Sequence, residues 1–328
     1  MVRTGRRLPN GTGAGVALAF GTALISGVSI WVNAMGVKQV PDAAVYTTAK
    51  NLVAGAILVA ALVAAGAAGF AGSPRRVRGL DRRSVAGLGI IAVVGGSVPF
   101  VLFFSGLAMA SAPSAAFIHK TLFVWVALLA VPLLGERLGW IQLGALGVLL
   151  AGQTLIAPPN GVRWGTGETL IAAATALWSI EVVVARRLLT AARGVDSGLL
   201  GAARMGLGAV LLVVYLAVSG RLPALLALSA TQWAWVALTG LLLAGYVGTW
   251  FAALRRAPAT VVTSVLVGGA IVTATLSALQ SGAAPSPVVL GGNALILAGV
   301  VAVGVLGLRS RAGAPAAQTV RADAFADR

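Results

Sequence analysis

Stretches of about 20 apolar residues recur along the chain, and short segments rich in proline, glycine and charge separate them. Ten such stretches are read, at about 15–36, 43–68, 85–108, 113–134, 139–157, 167–189, 198–218, 232–253, 258–280 and 287–307. A helix rises about 1.5 Å per residue, so each is long enough for the roughly 30 Å hydrocarbon core of a bilayer. The pattern therefore predicts an all-α polytopic membrane protein with ten transmembrane helices. Breakers fall in the connections: Pro41, Ser73-Pro74, Pro113, Pro158-Pro159-Asn160-Gly161, Gly220, Pro258 and Pro285. Asp42, Ser111, Thr166 and Asp196 stand where helix N-caps are expected. The first stretch follows Arg6 and Arg7 and is long for a signal peptide, so it is read as a span.

Composition agrees. Of 328 residues, 59% are hydrophobic and 10% are charged, and the mean hydropathy is +0.96. Soluble domains carry about 25% charge, so the apolar surplus must face lipid. This excludes a soluble enzyme and a disordered chain. The net charge of +16 invites a nucleic-acid reading, but the distribution of basic residues accounts for it. With both termini on one side, that side receives 18 of the 24 Lys and Arg residues, including Arg75, Arg76, Arg78, Arg82, Arg83, Arg137, Arg186, Arg187, Arg255 and Arg256. The opposite side receives three: Lys38, Arg163 and Arg221. The positive-inside rule then places both termini in the cytoplasm of a cell whose plasma membrane the chain crosses repeatedly, with the bilayer and not nucleic acid as its partner. With no cysteine and one histidine, neither a disulfide nor a multi-His metal site is expected. No Walker motif and no nucleophilic constellation occur. The expectation is no cofactor, no metal, no catalytic residue and no enzyme activity.

The two halves are related. Residues 105–152 align without a gap onto 252–299, with Leu107, Ala110, Ala112, Gly135, Leu143-Gly144 and Leu150-Ala151-Gly152 matched at an offset of 147. Each half holds five spans, an odd number, so the second must be inverted. Charge follows the inversion: Ala108-Met109 is matched by Arg255-Arg256, and Glu136-Arg137 by the uncharged Ala283-Ala284. The domains expected are a cytoplasmic segment 1–14, a five-helix repeat 15–157, an outer linker 158–166, a second five-helix repeat 167–307, and a disordered cytoplasmic tail 308–328. Inverted repeats are common in secondary transporters.

The turn Leu133-Leu134-Gly135-Glu136-Arg137-Leu138, the glycine-rich stretch after it (Gly144, Gly147, Gly152) and the turn Ala108 to Ala115 resemble the EamA-type branch of the drug/metabolite transporter superfamily. The second repeat keeps Gly282 and lacks the Glu-Arg pair. The resemblance implies ten spans in two repeats and export or uptake of a small metabolite through a central cavity.

An ionisable group in mid-bilayer costs roughly 2.5–3.5 kcal/mol on insertion scales, so it usually faces a cavity or a partner. Lys50, His119, Lys120, Glu181 and Arg204 lie within spans. Lys50 and Arg204 occupy the same position of the two repeats. Lys50, Lys120, Glu181 and Arg204 are candidate substrate contacts, and Trp178 joins them because it lies three residues before Glu181 on the same helical face. The alternative for Lys50, Lys120 and Arg204 is snorkelling to an interface. Glu181 is too short to snorkel, so it must be paired, hydrated or protonated; Arg204 is its expected partner, in a substrate site or in a purely structural pair. Glu181 and His119 are candidates for proton coupling; His119 is equally readable as a packing residue. Lys120 is the cavity-facing member of the His119-Lys120 pair in this reading, because adjacent helical residues diverge by about 100°. Pro99, after Gly95-Gly96-Ser97, is a candidate gating kink or a merely tolerated one. Glu136-Arg137 reads as an inner turn whose Glu begins the next helix.

The span charges sum to a net of two positive, which favours an anionic or zwitterionic solute such as an amino acid or organic acid. The expectation is a secondary transporter working by alternating access, as a monomer or homodimer. The alternatives are export of a cationic drug by proton antiport, and a membrane-embedded enzyme or assembly subunit that binds a lipid or isoprenoid.

Overall fold

A computed structural model of the chain describes residues 11–68, 79–107, 109–110, 112–156, 164–191 and 195–309. The segment 1–10, residues 69–78, Ala108, Ser111, the linker residues 157–163, residues 192–194 and the tail from 310 lie outside the described residues.

Among the described residues ten membrane helices follow one another, and no strand occurs. They are α1 (Gly11–Gly36), α2 (Ala43–Ala67), α3 (Arg82–Val94 and Val98–Leu107), α4 (Ala112–Lys120 and Leu122–Leu134) and α5 (Trp140–Ile156). The second half holds α6 (Thr166–Thr190), α7 (Ser197–Ala202 and Gly208–Val218, joined by a π turn Ala203–Leu207), α8 (Ala230–Arg256), α9 (Ala259–Leu266 and Gly269–Ser281) and α10 (Pro287–Arg309). Nine of these spans are long and apolar enough to cross a membrane; α5, with 17 residues, is the short one. Many large apolar side chains point outward, including Leu24, Val63, Leu128, Val210 and Leu297. Such a surface is stable only against lipid.

Asp42 caps α2 by accepting from Ala44 N at 2.8 Å and Val45 N at 3.2 Å, and Asp196 caps α7 by accepting from Leu199 N at 2.8 Å. At α6 the expected cap Thr166 is instead the first helical residue; Gly165 holds the cap position, and the Glu168 carboxylate accepts from Gly165 N at 3.1 Å. The glycine has no side chain to cap with, and the acidic residue of the first turn supplies the acceptor.

The packing obeys an exchange of halves. Helix α1 packs on α8 and α9, as α6 packs on α3 and α4; α2 packs on α7, and α5 on α10. Single contacts repeat at the 147-residue offset. A β-carbon on Gly152 would meet Gly292 and Ile296, and one on Gly299 would meet Leu149 and Ala145. Gly135 and Gly282 end α4 and α9 in the left-handed conformation, with φ of 67° and 65°. The breaks in α4, at Thr121, and in α9, at Val267-Gly268, also correspond. These are two inverted five-helix repeats.

Two irregularities have no counterpart. Helix α3 is broken at Gly95-Gly96-Ser97 and α7 contains the π turn, whereas α8 and α2, which correspond to them, run unbroken. Both irregularities meet at one place.

Candidate functional site

The π turn of α7 carries Arg204, and α6 carries Glu181. Arg204 Nε lies 2.6 Å from Glu181 Oε1, and Arg204 Nη2 donates to Glu181 Oε2 at 3.2 Å. The contact is two-pronged, as a guanidinium fork allows. The side chains are 8% and 3% exposed, so each ion depends on the other for solvation. The break in α3 makes room for them. A β-carbon on Gly95 would strike the Glu181 carboxyl group, and one on Gly96 would strike the Arg204 carbonyl oxygen. Gly96 also lies against Gly208, so α3 and α7 touch backbone to backbone beside the pair.

The freed carbonyl of Gly95 accepts from Trp178 Nε1 at 3.1 Å, which fixes the indole. Around it stand Phe100 (ring centroids 5.4 Å apart), Phe103 (5.7 Å) and His119 (5.0 Å). Phe100 also lies 6.0 Å from the guanidinium carbon of Arg204, within cation–π range. Pro99 is in the first turn of the second α3 segment and has no N–H to offer the Gly95 carbonyl four residues earlier, which leaves that oxygen to Trp178. The break lies at Gly95-Gly96-Ser97, where Ser97 Oγ donates to the carbonyls of Ala92 and Val93 at 3.0 and 3.2 Å.

Trp178, Glu181, Arg204 and His119 therefore form one cluster, beside the break next to Pro99. Lys50 lies elsewhere, buried, donating to Asn33 Oδ1 at 3.2 Å; Tyr46 Oη donates to the same oxygen at 2.9 Å. Asn33 of α1 thus accepts from Lys50 as Glu181 of α6 accepts from Arg204, but without supplying a counter-charge. Lys120 is half-buried at the end of its α4 segment, with no hydrogen-bond partner among the described residues. Of the two adjacent residues, His119 is the one packed on Trp178.

A cavity of about 510 Å³ lies among α2, α3 and α7, at the end of the bundle opposite the arginine-rich turns. Thr47, Thr48, Phe104, Ser105 and Tyr215 line it, and Phe100 is shared between its wall and the cluster. Asp42 and Arg221 border it, 3.7 Å apart and partly exposed. None of the five residues expected to touch substrate is in this wall. The aromatic wall and the two bordering charges were not singled out in the sequence, because Phe100 and Phe104 read as ordinary apolar positions and Asp42 as a cap. Volume and lining suit a small organic molecule.

Comparison with known proteins adds two findings. The model of the EamA-like transporter family matches residues 13–157 and again residues 165–305. A protein of known crystal structure superimposes with a TM-score of 0.70 over 89% of this chain and 98% of its own, at 20% identity, which speaks for the fold alone. No curated protein matches the chain in sequence.

Proposed function

Starting from the fact that this multi-pass membrane chain belongs to the EamA-like transporter family, we propose that it is a secondary transporter that moves a small organic solute across the cytoplasmic membrane by alternating access. The carrying observation is the asymmetry at the centre. The repeats match in their turns, in the breaks of α4 and α9 and in the α5–α10 contact, and they depart from each other where the α3 break and the α7 π turn enclose Glu181 and Arg204. Irregular backbone at membrane depth is tolerated where it lines a path or is buried in protein, and interrupted helices are the usual pointer to a transport site.

The solute favoured is anionic or zwitterionic. Lys50, Lys120 and Arg204 against Glu181 leave an excess of positive charge within the spans. Beside the cavity, one guanidinium (Arg221) and one carboxylate (Asp42) offer a partner to each end of a zwitterion. Phe100, Phe104 and Tyr215 would accept its apolar part. Both termini lie in the cytoplasm in this reading, by the excess of arginine at their end of the bundle.

Glu181 is the proposed proton carrier, since protonation would release Arg204 to a substrate carboxylate. Glu181→Gln in proteoliposomes should abolish accumulation driven by a pH gradient and leave counterflow exchange partly intact. Normal pH-driven accumulation by that variant removes Glu181 from the coupling.

A further inference from the structure

The turn between α4 and α5 holds a contact that crosses from one repeat to the other. After Gly135 the chain stays non-helical until Trp140. Glu136 therefore does not begin the next helix, as its place in the sequence suggests. Its carboxylate reaches the start of α9 instead. Oε1 accepts from Ala259 N at 2.6 Å, and Oε2 accepts from Thr260 N at 3.1 Å and from Thr260 Oγ1 at 2.7 Å. The residue in the cap position of α9 is Pro258, which has no side-chain acceptor, so α9 has its N-terminal donors satisfied by a residue 123 positions earlier in the chain. The bonds are charge-assisted, and an anion at a helix N-terminus is further favoured by the backbone dipoles.

The same end carries one more crossing. Arg187, in the last turn of α6, donates through Nε to the Leu133 carbonyl of α4 at 3.0 Å; within the second repeat, Arg186 donates to the Leu254 carbonyl of α8. The second repeat cannot repeat the Glu136 contact at the far end. At the 147-residue offset, Glu136 becomes Ala283, which has no carboxylate, and Thr260 becomes Pro113, which has no backbone N–H to offer. The cavity of about 510 Å³ lies at that far end.

We infer that Glu136 is a one-sided latch, holding the arginine-rich end of the bundle closed by clasping the start of α9 across the repeat boundary. The inference rests on the alternating-access reading. Opening at the arginine-rich end must part α9 from the α4–α5 turn, and every bond Glu136 makes to α9 exists only in the closed arrangement. A contact made in one state alone shifts the balance between states by its differential strength. Removing it favours the state open at the arginine-rich end.

The chain contains no cysteine, so single introduced thiols report cleanly. Two positions mark the two ends: Thr263, buried on α9 one turn beyond the clasp, and Thr47, in the wall of the cavity. In nanodiscs, where both faces meet the solution, the labelling rate of each with a small methanethiosulfonate reagent is measured with and without Glu136→Ala. The expected result is reciprocal: labelling at Thr263→Cys rises about tenfold, and labelling at Thr47→Cys falls. Thr260→Val, which removes one of the three bonds and leaves the helix intact, should move both rates in the same directions by less. Unchanged rates, or rates that rise together as in a loosened fold, overturn the latch. The readout needs no substrate. Wild-type protein that moves no solute while the two labels still shift reciprocally would sink the transport reading and leave the latch standing.

Discussion

Gly96 lies against the carbonyl oxygen of Arg204 so closely that no β-carbon fits between them. The glycine sits in the break of α3 and the arginine in the π turn of α7, so the contact joins two helix irregularities that the repeats do not share. Gly96→Ala should therefore force α3 and α7 apart and cost about 1–3 kcal/mol or more, because backbone cannot yield as a flexible side chain can. Gly89→Ala, on the same helix with open space around it, should be silent. Melting temperature in detergent and solute flux check both; a silent Gly96→Ala would mean that the junction is looser than described.

The Glu181–Arg204 pair makes a prediction through its burial. Breaking a buried pair from one side strands the other charge, at a cost of about 3–5 kcal/mol, whereas removing both together often costs little. Arg204→Met and Glu181→Met should each lower the melting temperature markedly, and the double variant should recover most of the loss while transport stays absent. Additive losses would show that the two side chains do not depend on each other.

At the mouth of the cavity, charge and capping can be separated. Asp42→Asn keeps an oxygen for Ala44 N and Val45 N and removes the negative charge, so stability should hold within about 0.5 kcal/mol while the KM of a zwitterionic solute rises. Arg221→Gln should raise the KM of any carboxylate solute by about tenfold. Lys38→Ala, exposed in the turn after α1, is the control and should change neither.

Orientation is open to direct test. A cysteine replacing Lys38 should react with an impermeant thiol reagent from outside intact cells, and one replacing Arg137 should react only after permeabilisation. Both side chains are exposed, in turns at opposite ends of the bundle. The reverse pattern would invert the topology.

The ten spans were legible because each is a run of apolar residues of bilayer length, and the inversion because odd span number and arginine placement point the same way. The Glu181–Arg204 pair was legible for a related reason: a short carboxylate in mid-membrane needs a partner, and few are at its depth. Other features depend on contacts that a linear pattern does not contain. The π turn at Ala203–Leu207 has the same apolar composition as a regular helix. Phe100 and Phe104 look like lipid-facing or core residues until α2 and α7 are placed beside them. Glu136 looks like a helix start because the sequence does not reveal that α9, more than 120 residues on, presents its N-terminus to it. The choice between His119 and Lys120 turned on the break at Thr121 and on where Trp178 lies, and neither is visible from their adjacency.

Transport of a solute by the protein alone is the central claim. Purified wild-type chain in proteoliposomes, loaded with unlabelled solute and diluted into labelled solute without ATP, measures this directly. The solutes are those that raise the melting temperature in a panel of amino acids, organic acids and cationic drugs. The predicted result is transient accumulation of a labelled carboxylate or zwitterion, lost in Arg204→Met. Binding without any counterflow would contradict the transport claim, and counterflow of cationic compounds alone would contradict the assignment of the solute's charge.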